Sequence, residues 1–300
     1  MAVISSPQIS VRGGIRAPFE TEVFYLGEQA EKPVYHTSDP SRCRMNMVPH
    51  KIMMHDARGL AATSMEREGF MIVDQKLPDV DYEKSEEVDG PYLKTIQHLV
   101  QKALGADRVI CDTPISRRPG QNAFQKPATR VHTDFSPGSA RQLFEESWDQ
   151  EKPKEAGLEE TAALIRQSVD CPNAADRKYK RVMAVNVWRP LTKPPHDYPL
   201  AFVTRDTLPE ADVRHADFIE EQKEGYTYFG ELSLCEYNPN HQWYCFSEMT
   251  PDEVVLFVGY DFNRPGSTGV MHAAFPDPAW TKHNHGRASV EVRVFALWEN

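Results

Sequence analysis

The chain of 300 residues has a mass of 34.2 kDa, a size that allows one large domain or two smaller ones. Hydrophobic residues make up 40% and aromatic residues 10% of the sequence, which is enough to fill a large core and excludes an intrinsically disordered chain. The 34 Lys and Arg residues against 44 Asp and Glu residues give a net charge of −10, which argues against nucleic acid as a partner.

The apolar segments are short, and the cysteines show no metal-binding or disulfide spacing. No uninterrupted apolar run exceeds five residues, whereas a membrane helix needs about 20. The N-terminus has neither a basic region nor the apolar region of a secretory signal. The five cysteines are odd in number and form no CxxC pair, which is typical of reduced thiols. We therefore expect a cytoplasmic location and no membrane partner, while the sequence is silent on oligomeric state.

The first half of the chain mixes helical and strand-like patterns. Apolar residues recur at helical spacing before Gly105, which fits the residue after a helix end. A capping-box pattern at Ser139 predicts the start of another helix. In chain order the predicted elements are a helix over 57–68, a strand over 69–74, a helix over 92–104, a strand over 108–112, a helix from 139, and a helix over 159–169.

The second half is rich in β-branched and aromatic segments, which are separated by Pro, Asn, Gly and Asp turns. Strands are predicted over 181–188, 200–204, 232–237, 242–246, 254–258, 270–275 and 288–295. Short strands at this density predict a barrel or jelly roll with the earlier helices packed outside it. The acidic segment 210–224 is predicted to be an exposed loop or helix. With no repeat and no linker, we expect a single domain over 1–300.

The segment from Arg130 to Phe135 carries the most informative motif. Side chains at i and i+2 of a strand point to one face, so His132 and Asp134 can present an imidazole nitrogen and a carboxylate to one point. Two histidines and one carboxylate hold Fe(II) in a facial triad and leave three positions open. His272 is the best candidate for the third ligand because it lies in an apolar, strand-like segment.

Two other pairs have the same spacing. His215 and Asp217 lie in the acidic segment and are interpreted as solvated surface. His283 and His285 lie in a polar stretch that reads more readily as an exposed loop than as a metal site. The spacing by itself also leaves open that His132, Asp134 and His272 make only ordinary hydrogen bonds.

An Arg-x-Ser motif follows His272 at the start of the last predicted strand. Arg287 and Ser289 would share a strand face, where a guanidinium and a hydroxyl can bind a carboxylate through charge-assisted hydrogen bonds. That arrangement suits a dicarboxylic co-substrate. Arg293 lies on the same face and could bind the cofactor, bind an acidic substrate group or form a structural pair.

Together these residues resemble the Fe(II)/2-oxoglutarate-dependent oxygenases of the double-stranded β-helix fold. The closer similarity is to the group that includes fungal gibberellin desaturase and the CmcJ/NvfI-type oxygenases of secondary metabolism. The similarity extends over most of the chain, in segments 56–58, 68–70, 131–134, 250–253, 260–261, 272–278 and 287–293.

The resemblance implies a mainly β protein with flanking helices and a jelly-roll, cupin-like core. It implies that His132, Asp134 and His272 bind Fe(II), and that Arg287 and Ser289 bind the far carboxylate of 2-oxoglutarate. Because Asp134 is retained where halogenating members carry a small residue, hydroxylation, desaturation or oxidative cyclisation of a small secondary metabolite or amino-acid-derived substrate is expected, with dioxygen as co-substrate.

Two alternatives stay open on the sequence. One is a jelly-roll metalloenzyme that uses the same three ligands without 2-oxoglutarate. The other is a non-catalytic β-sandwich binding protein in which His132, Asp134 and His272 never meet.

Overall fold

Two curled β-sheets form the core of the protein, with three α-helices outside them. The computed structural model describes residues 14–83, 87–118, 127–145, 158–221, 227–264, 269–281 and 286–300. The helices are α1 (Leu93–Leu104), α2 (Pro137–Glu145) and α3 (Leu158–Asp170). None of these helices, within the described ranges, is long and apolar enough to cross a membrane.

Fifteen strands are described, and the longest lie in the second half of the chain. They are β1 (Phe19–Leu26), β2 (Val34–His36), β3 (Met47–Asp56), β4 (Phe70–Asp74), β5 (Arg108–Cys111), β6 (Ile115–Arg117), β7 (His132–Thr133), β8 (Tyr179–Pro190), β9 (Leu200–Val203), β10 (Val213–Glu221), β11 (Thr227–Cys235), β12 (Trp243–Cys245), β13 (Glu253–Asp261), β14 (His272–Ala274) and β15 (Ser289–Glu299).

The smaller sheet has the order β4-β13-β8-β15-β5, with β6 also paired to β15. Its valines at even positions of β15 and odd positions of β8 are buried against the apolar side of α1. Because side chains alternate along a strand, the opposite face of β8 and β15 carries Asn186, Glu291 and Arg293. A polar strip therefore runs across the inner face of this sheet.

The larger sheet has the order β1-β3-β12-β9-β14-β7-β11-β10-β2. It curls so far that β1 reaches the segment before β7, where the Phe24 amide donates to the Thr129 carbonyl over 3.1 Å. The two sheets pack face to face, since the rings of Phe202 on β9 and Phe257 on β13 lie 5.1 Å apart. The prediction of a mainly β, jelly-roll core with helices outside it is confirmed.

Most predicted elements are present with shifted ends, as at the start of α2, and the predictions for 57–68 and for the acidic segment were wrong. Residues 57–68 form a short 3-10 turn (Ala57–Gly59) followed by turns, not a helix. Helix α2 begins at Pro137, because Ser136 and Ser139 bond each other's backbone amides and Ser136 is the cap. Segment 213–221 of the acidic stretch is strand β10, paired to β11 along its whole length.

Candidate metal centre

His132, Asp134 and His272 meet inside the larger sheet. Strand β7 lies between β11 and β14, and His272 is the direct cross-strand partner of His132. Asp134 follows the end of β7 and still faces the side that His132 faces. One ligand atom from each residue lies within 4.8 Å of the others. The binding-protein alternative, which requires these side chains to stay apart, does not match this arrangement.

Both histidines are oriented by the same kind of hydrogen bond, from Nδ1 to the backbone carbonyl two residues earlier. The Nδ1 of His132 bonds the Arg130 carbonyl over 2.9 Å, and the Nδ1 of His272 bonds the Val270 carbonyl over 3.1 Å. Because a carbonyl only accepts, each Nδ1 carries the proton and each Nε2 keeps a free lone pair. This is the tautomer that metal-binding histidines adopt, with an outer carbonyl fixing the ring.

The surroundings of His132 keep its imidazole ring in the neutral form that binds a metal ion. Burial lowers the pKa of His132 well below its ordinary value, and the neighbouring His272 and Arg130 lower it further. The ring is therefore neutral at physiological pH, as metal ligation requires. The Nε2 of His132 lies 4.0 Å from Oδ1 of Asp134, a spacing that leaves room for an ion bound to both.

Two side chains from the polar strip hold the Asp134 carboxylate. Arg293 donates from Nη2 to Oδ1 over 3.1 Å, and Asn186 donates from Nδ2 to Oδ2 over 2.5 Å. Burial by itself would raise the pKa of Asp134, but the charge of Arg293 and the nearby histidines hold it well below its ordinary value. Asp134 is thus an anion in a fixed orientation, and the set of two imidazoles and one carboxylate fits Fe(II).

Asn186 is a residue that the sequence analysis missed. It is fully buried on β8 and also donates to Oε1 of Glu291 over 3.0 Å. A signal for it was present, because it is the single polar residue in the apolar run from Val182 to Trp188. A buried amide in such a run requires partners, and here one partner is Asp134.

Arg287 and Ser289 lie at the start of β15 and are both buried, with 4% and 1% of their surfaces exposed. Arg287 precedes the strand, and its Nη1 donates to the Tyr198 carbonyl over 2.5 Å. Among the described residues, its Nε has no hydrogen-bond partner and no carboxylate lies at ion-pair distance from the guanidinium. Burial, together with the charge of the nearby Arg117, lowers the pKa of Arg287 to about 10.

A buried guanidinium without an acid is costly, and an anionic ligand would offset that cost. The surroundings of Arg287 therefore fit the far carboxylate of a bound dicarboxylate. Arg293, whose role the sequence left open among three possibilities, contacts Asp134 directly and lies farther along β15.

The other histidine pairs are not brought to the site. His215 lies on β10 and its Nδ1 bonds Ser233 Oγ over 3.0 Å, while Asp217 pairs with Lys32 over 2.5 Å. Their reading as ordinary polar residues agrees with these contacts, although the segment is a strand. His283 and His285 lie outside the described residues.

A cavity of about 370 Å³ opens beside two of the candidate ligands, His132 and Asp134. His132, Asp134 and Arg293 lie on its wall, so the cavity reaches the proposed metal position directly. Its size falls within the range of small-molecule sites. The remaining wall is mostly apolar and aromatic, contributed by β1, β2, β10, β11 and neighbouring segments.

The chain matches one family model and is similar to named fungal oxidoreductases. Residues 23–297 match the family model described as "Oxidoreductase/YMDC permease-like domain". The chain is 28% identical to the Fe(II)/2-oxoglutarate-dependent dioxygenase nvfI of Aspergillus novofumigatus, over 95% of this chain and 98% of that protein. It is 30% identical to the gibberellin cluster GA4 desaturase of Gibberella fujikuroi, over 62% of this chain and 56% of that protein.

The fold is also shared with solved structures. The structure of the iron and alpha-ketoglutarate-dependent endoperoxidase NvfI with different conformation superposes with a TM-score of 0.78. The match covers 96% of this chain and 100% of that chain at 24% sequence identity, and it shows a common fold.

Proposed function

This chain belongs to the oxidoreductase family whose model matches residues 23–297, and, like its named relatives, it is an Fe(II)/2-oxoglutarate-dependent oxygenase. We propose that His132, Asp134 and His272 bind the iron and that Arg287 and Ser289 bind 2-oxoglutarate. The observation that carries the proposal is the convergence of three ligand atoms within 4.8 Å, with both Nδ1 atoms bonded to carbonyls. The substrate is a small secondary metabolite that occupies the adjacent cavity.

When bound, iron and 2-oxoglutarate supply the oxidising chemistry, with dioxygen as the oxidant. The chain supplies the geometry. His132 and His272 present Nε2 lone pairs, and Asp134 presents a carboxylate held by Arg293 and Asn186. Fixed ligands of this kind retain a metal without reorganisation, which favours one orientation of the open positions.

Water is excluded on the sheet side of the centre. The ring of Phe257 lies 4.7 Å from that of His272, and His132 and His272 expose only 6% and 4% of their surfaces. The cavity is the open side, so substrate would approach from there. Because the sheet side excludes water and the cavity would hold the substrate, the oxidation would act on the substrate rather than on bulk water.

Arg287 is assigned to the co-substrate because its guanidinium is buried and no acid of the described residues lies at ion-pair distance from it. A guanidinium can bind a carboxylate through two parallel hydrogen bonds, and the adjacent Ser289 hydroxyl can supply a third. In this assignment Arg287 would bind the far carboxylate of 2-oxoglutarate, the one that does not bind the metal. The reaction would be hydroxylation, desaturation or oxidative ring closure, and cavity contacts would select among them.

The test is an anaerobic titration of metal-free protein with Fe(II) and then 2-oxoglutarate, following the visible charge-transfer band of the chelated complex. We expect a band at one iron per chain, lost in His132→Ala. In Arg287→Gln and the milder Ser289→Ala, the band should need more 2-oxoglutarate.

The alternative metalloenzyme without 2-oxoglutarate predicts iron binding with no band. If the folded wild-type protein binds iron and gives no band at any 2-oxoglutarate concentration, the assignment of Arg287 and Ser289 is wrong. If it binds no iron, the ligand assignment is wrong as well. The circular dichroism spectrum of each variant shows whether it is folded.

A further inference from the structure

We propose that Arg130 is a specificity residue that binds a carboxylate on an otherwise apolar, cyclic substrate in the cavity beside the metal centre. The inference rests on the proposed function, because it assigns the substrate class of that same site. The observation behind it is that the Arg130 guanidinium lies on the cavity wall with no described acid at ion-pair distance.

Arg130 occupies a defined place relative to the candidate ligands. Residues 130, 132 and 134 all lie on the cavity wall, as the alternation of an extended chain requires. The Arg130 carbonyl accepts the hydrogen bond from His132 Nδ1. Arg130 therefore orients the His132 ring through its backbone and presents its own side chain to the cavity. Two residues of extended chain rise about 7 Å, and both side chains line one cavity, so a molecule that fills the cavity can contact Arg130 and lie beside the candidate ligands.

The guanidinium of Arg130 is fixed before any ligand arrives. It stacks over the ring of Tyr35 at 4.0 Å from the ring centroid. Its Nε is buried and has no hydrogen-bond partner in the described ranges. Among the residues that the structure describes, no carboxylate lies at ion-pair distance from it. A cation that is positioned but lacks an acceptor is suited to bind one on an incoming molecule.

The carboxylates on the cavity wall are already engaged elsewhere. Glu231 accepts from Lys32 over 2.6 Å and from Ser136 over 2.7 Å. Asp134 accepts from Arg293 and Asn186. Neither acid is available to neutralise Arg130 without giving up a partner, so the ligand must bring the negative charge.

The other arginines on the cavity wall have different assignments. Arg293 is bonded to Asp134. Arg117 is the cross-strand partner of Ser289 and contributes to lowering the pKa of Arg287, which places it toward the proposed 2-oxoglutarate end. Arg130 is therefore the arginine that belongs to the substrate side of the cavity.

The wall around Arg130 determines the rest of the ligand. The ring of Phe218 lies 5.8 Å from that of Tyr35 and 6.1 Å from that of Tyr228, which forms an aromatic surface. Met45 and Met47 also line the cavity, and methionine side chains adapt to irregular apolar shapes. A cyclic hydrocarbon body with one carboxylate matches the guanidinium of Arg130 and the apolar surface around it.

The experiment measures binding of matched probes to protein loaded with Fe(II) and 2-oxoglutarate under anaerobic conditions, by calorimetry. The probes are adamantanecarboxylic acid, naphthoic acid and dehydroabietic acid, each with its uncharged carboxamide. At least one acid should bind about tenfold or more tightly than its carboxamide, as a charge-assisted hydrogen bond provides. Arg130→Gln should abolish that preference, and Arg130→Lys should restore part of it.

The matched control is Arg42→Gln, which removes an exposed arginine paired with Glu221, away from the cavity wall. It should leave the preference for acids unchanged. The inference is overturned if carboxamides bind as tightly as acids, if no acid binds, or if Arg130→Gln keeps the preference. The charge-transfer band, recorded on the same samples, separates failure of this inference from failure of the proposed function, because only the latter removes the band from wild-type protein.

Discussion

Asn186 on β8 donates its amide to Oδ2 of Asp134 while Arg293 on β15 donates to Oδ1, so two neighbouring strands of one sheet hold a ligand carboxylate that belongs to the other sheet. Asn186 and Arg293 are themselves direct cross-strand partners. The inner face of the smaller sheet thus acts as a support for the metal centre, although it supplies none of the proposed ligands.

Replacing Asn186 should weaken metal binding without removing a ligand. We expect Asn186→Ala to lower the affinity for Mn(II), a redox-stable substitute for Fe(II), by about 10–100-fold, as loss of an outer hydrogen bond to a ligand does. Calorimetric titration measures it. Asn263→Ala, which removes hydrogen bonds to Lys180 and Val182 away from the candidate ligands, is the control for general loosening. Equal affinities in Asn186→Ala and wild type would mean that Asp134 needs no such support.

Metal binding should stabilise the fold. A ligand that binds only the native state at about 100 times its Kd adds about 2.7 kcal/mol to the free energy of unfolding. Mn(II) at that level should stabilise the wild-type protein by this amount in urea unfolding, and should not stabilise His272→Ala. His215→Ala is the matched control, because His215 belongs to the second His-x-Asp pair and bonds Ser233 instead. An equal gain in His272→Ala would place the metal elsewhere.

A buried ion pair joins two of the segments that carry the family resemblance. Nη2 of Arg58 lies 2.9 Å from Oε1 of Glu253, and both side chains are 1% exposed. Arg58→Met should cost about 3–5 kcal/mol of unfolding free energy because it leaves the buried Glu253 carboxylate without its counter-charge. Urea denaturation provides the measurement.

The double variant Arg58→Met with Glu253→Leu should lose less than the single variant, since it removes both charges. Arg141→Met, which breaks an exposed pair with Asp170, should have little effect. A double variant that is as unstable as the single one would show that shape, rather than charge, dominates this contact.

Stability should fall on mild acidification, partly through His196. This side chain is 5% exposed, and burial lowers its pKa below the ordinary value of 6.5, with Arg287 lowering it further. Below pH 6.5 the unfolded chain binds a proton that the folded state resists, so the free energy of unfolding decreases as pH falls. Between pH 7.5 and 5.5 this histidine contributes a loss of up to about 1.4 kcal/mol.

His196→Asn should reduce the loss of unfolding free energy between pH 7.5 and 5.5 by up to that amount. His98→Asn, at an exposed position of α1, is the comparison. Urea unfolding at several pH values gives the slopes. Identical slopes in wild type and His196→Asn would show that His196 is protonated as readily in the folded state as in the unfolded one.

The sequence by itself determined the β-rich second half, the helices 92–104 and 159–169, and the candidate ligands and Arg-x-Ser motif. Alternation and helical periodicity are local, so a run such as 181–188 shows its state without its partners. The same local reasoning failed for β10, whose acidic, two-sided polar pattern becomes a strand only because β11 pairs with it along its full length. It failed for 57–68 as well, where the helical spacing was overridden by buried contacts of Arg58.

Only the tertiary structure decided which polar residues share a point in space. Nothing in the spacing of Asn186, Arg293 and Asp134 indicates that they meet. Asn186 lies 52 positions and Arg293 lies 159 positions after Asp134 in the sequence. The role of Arg130 likewise depends on Tyr35 and Glu231, which reach the cavity from separate strands, and on Lys32, which pairs with Glu231. Which charge is neutralised and which is left for a ligand is a property of the packed structure, since it follows from distances that the curled sheets set.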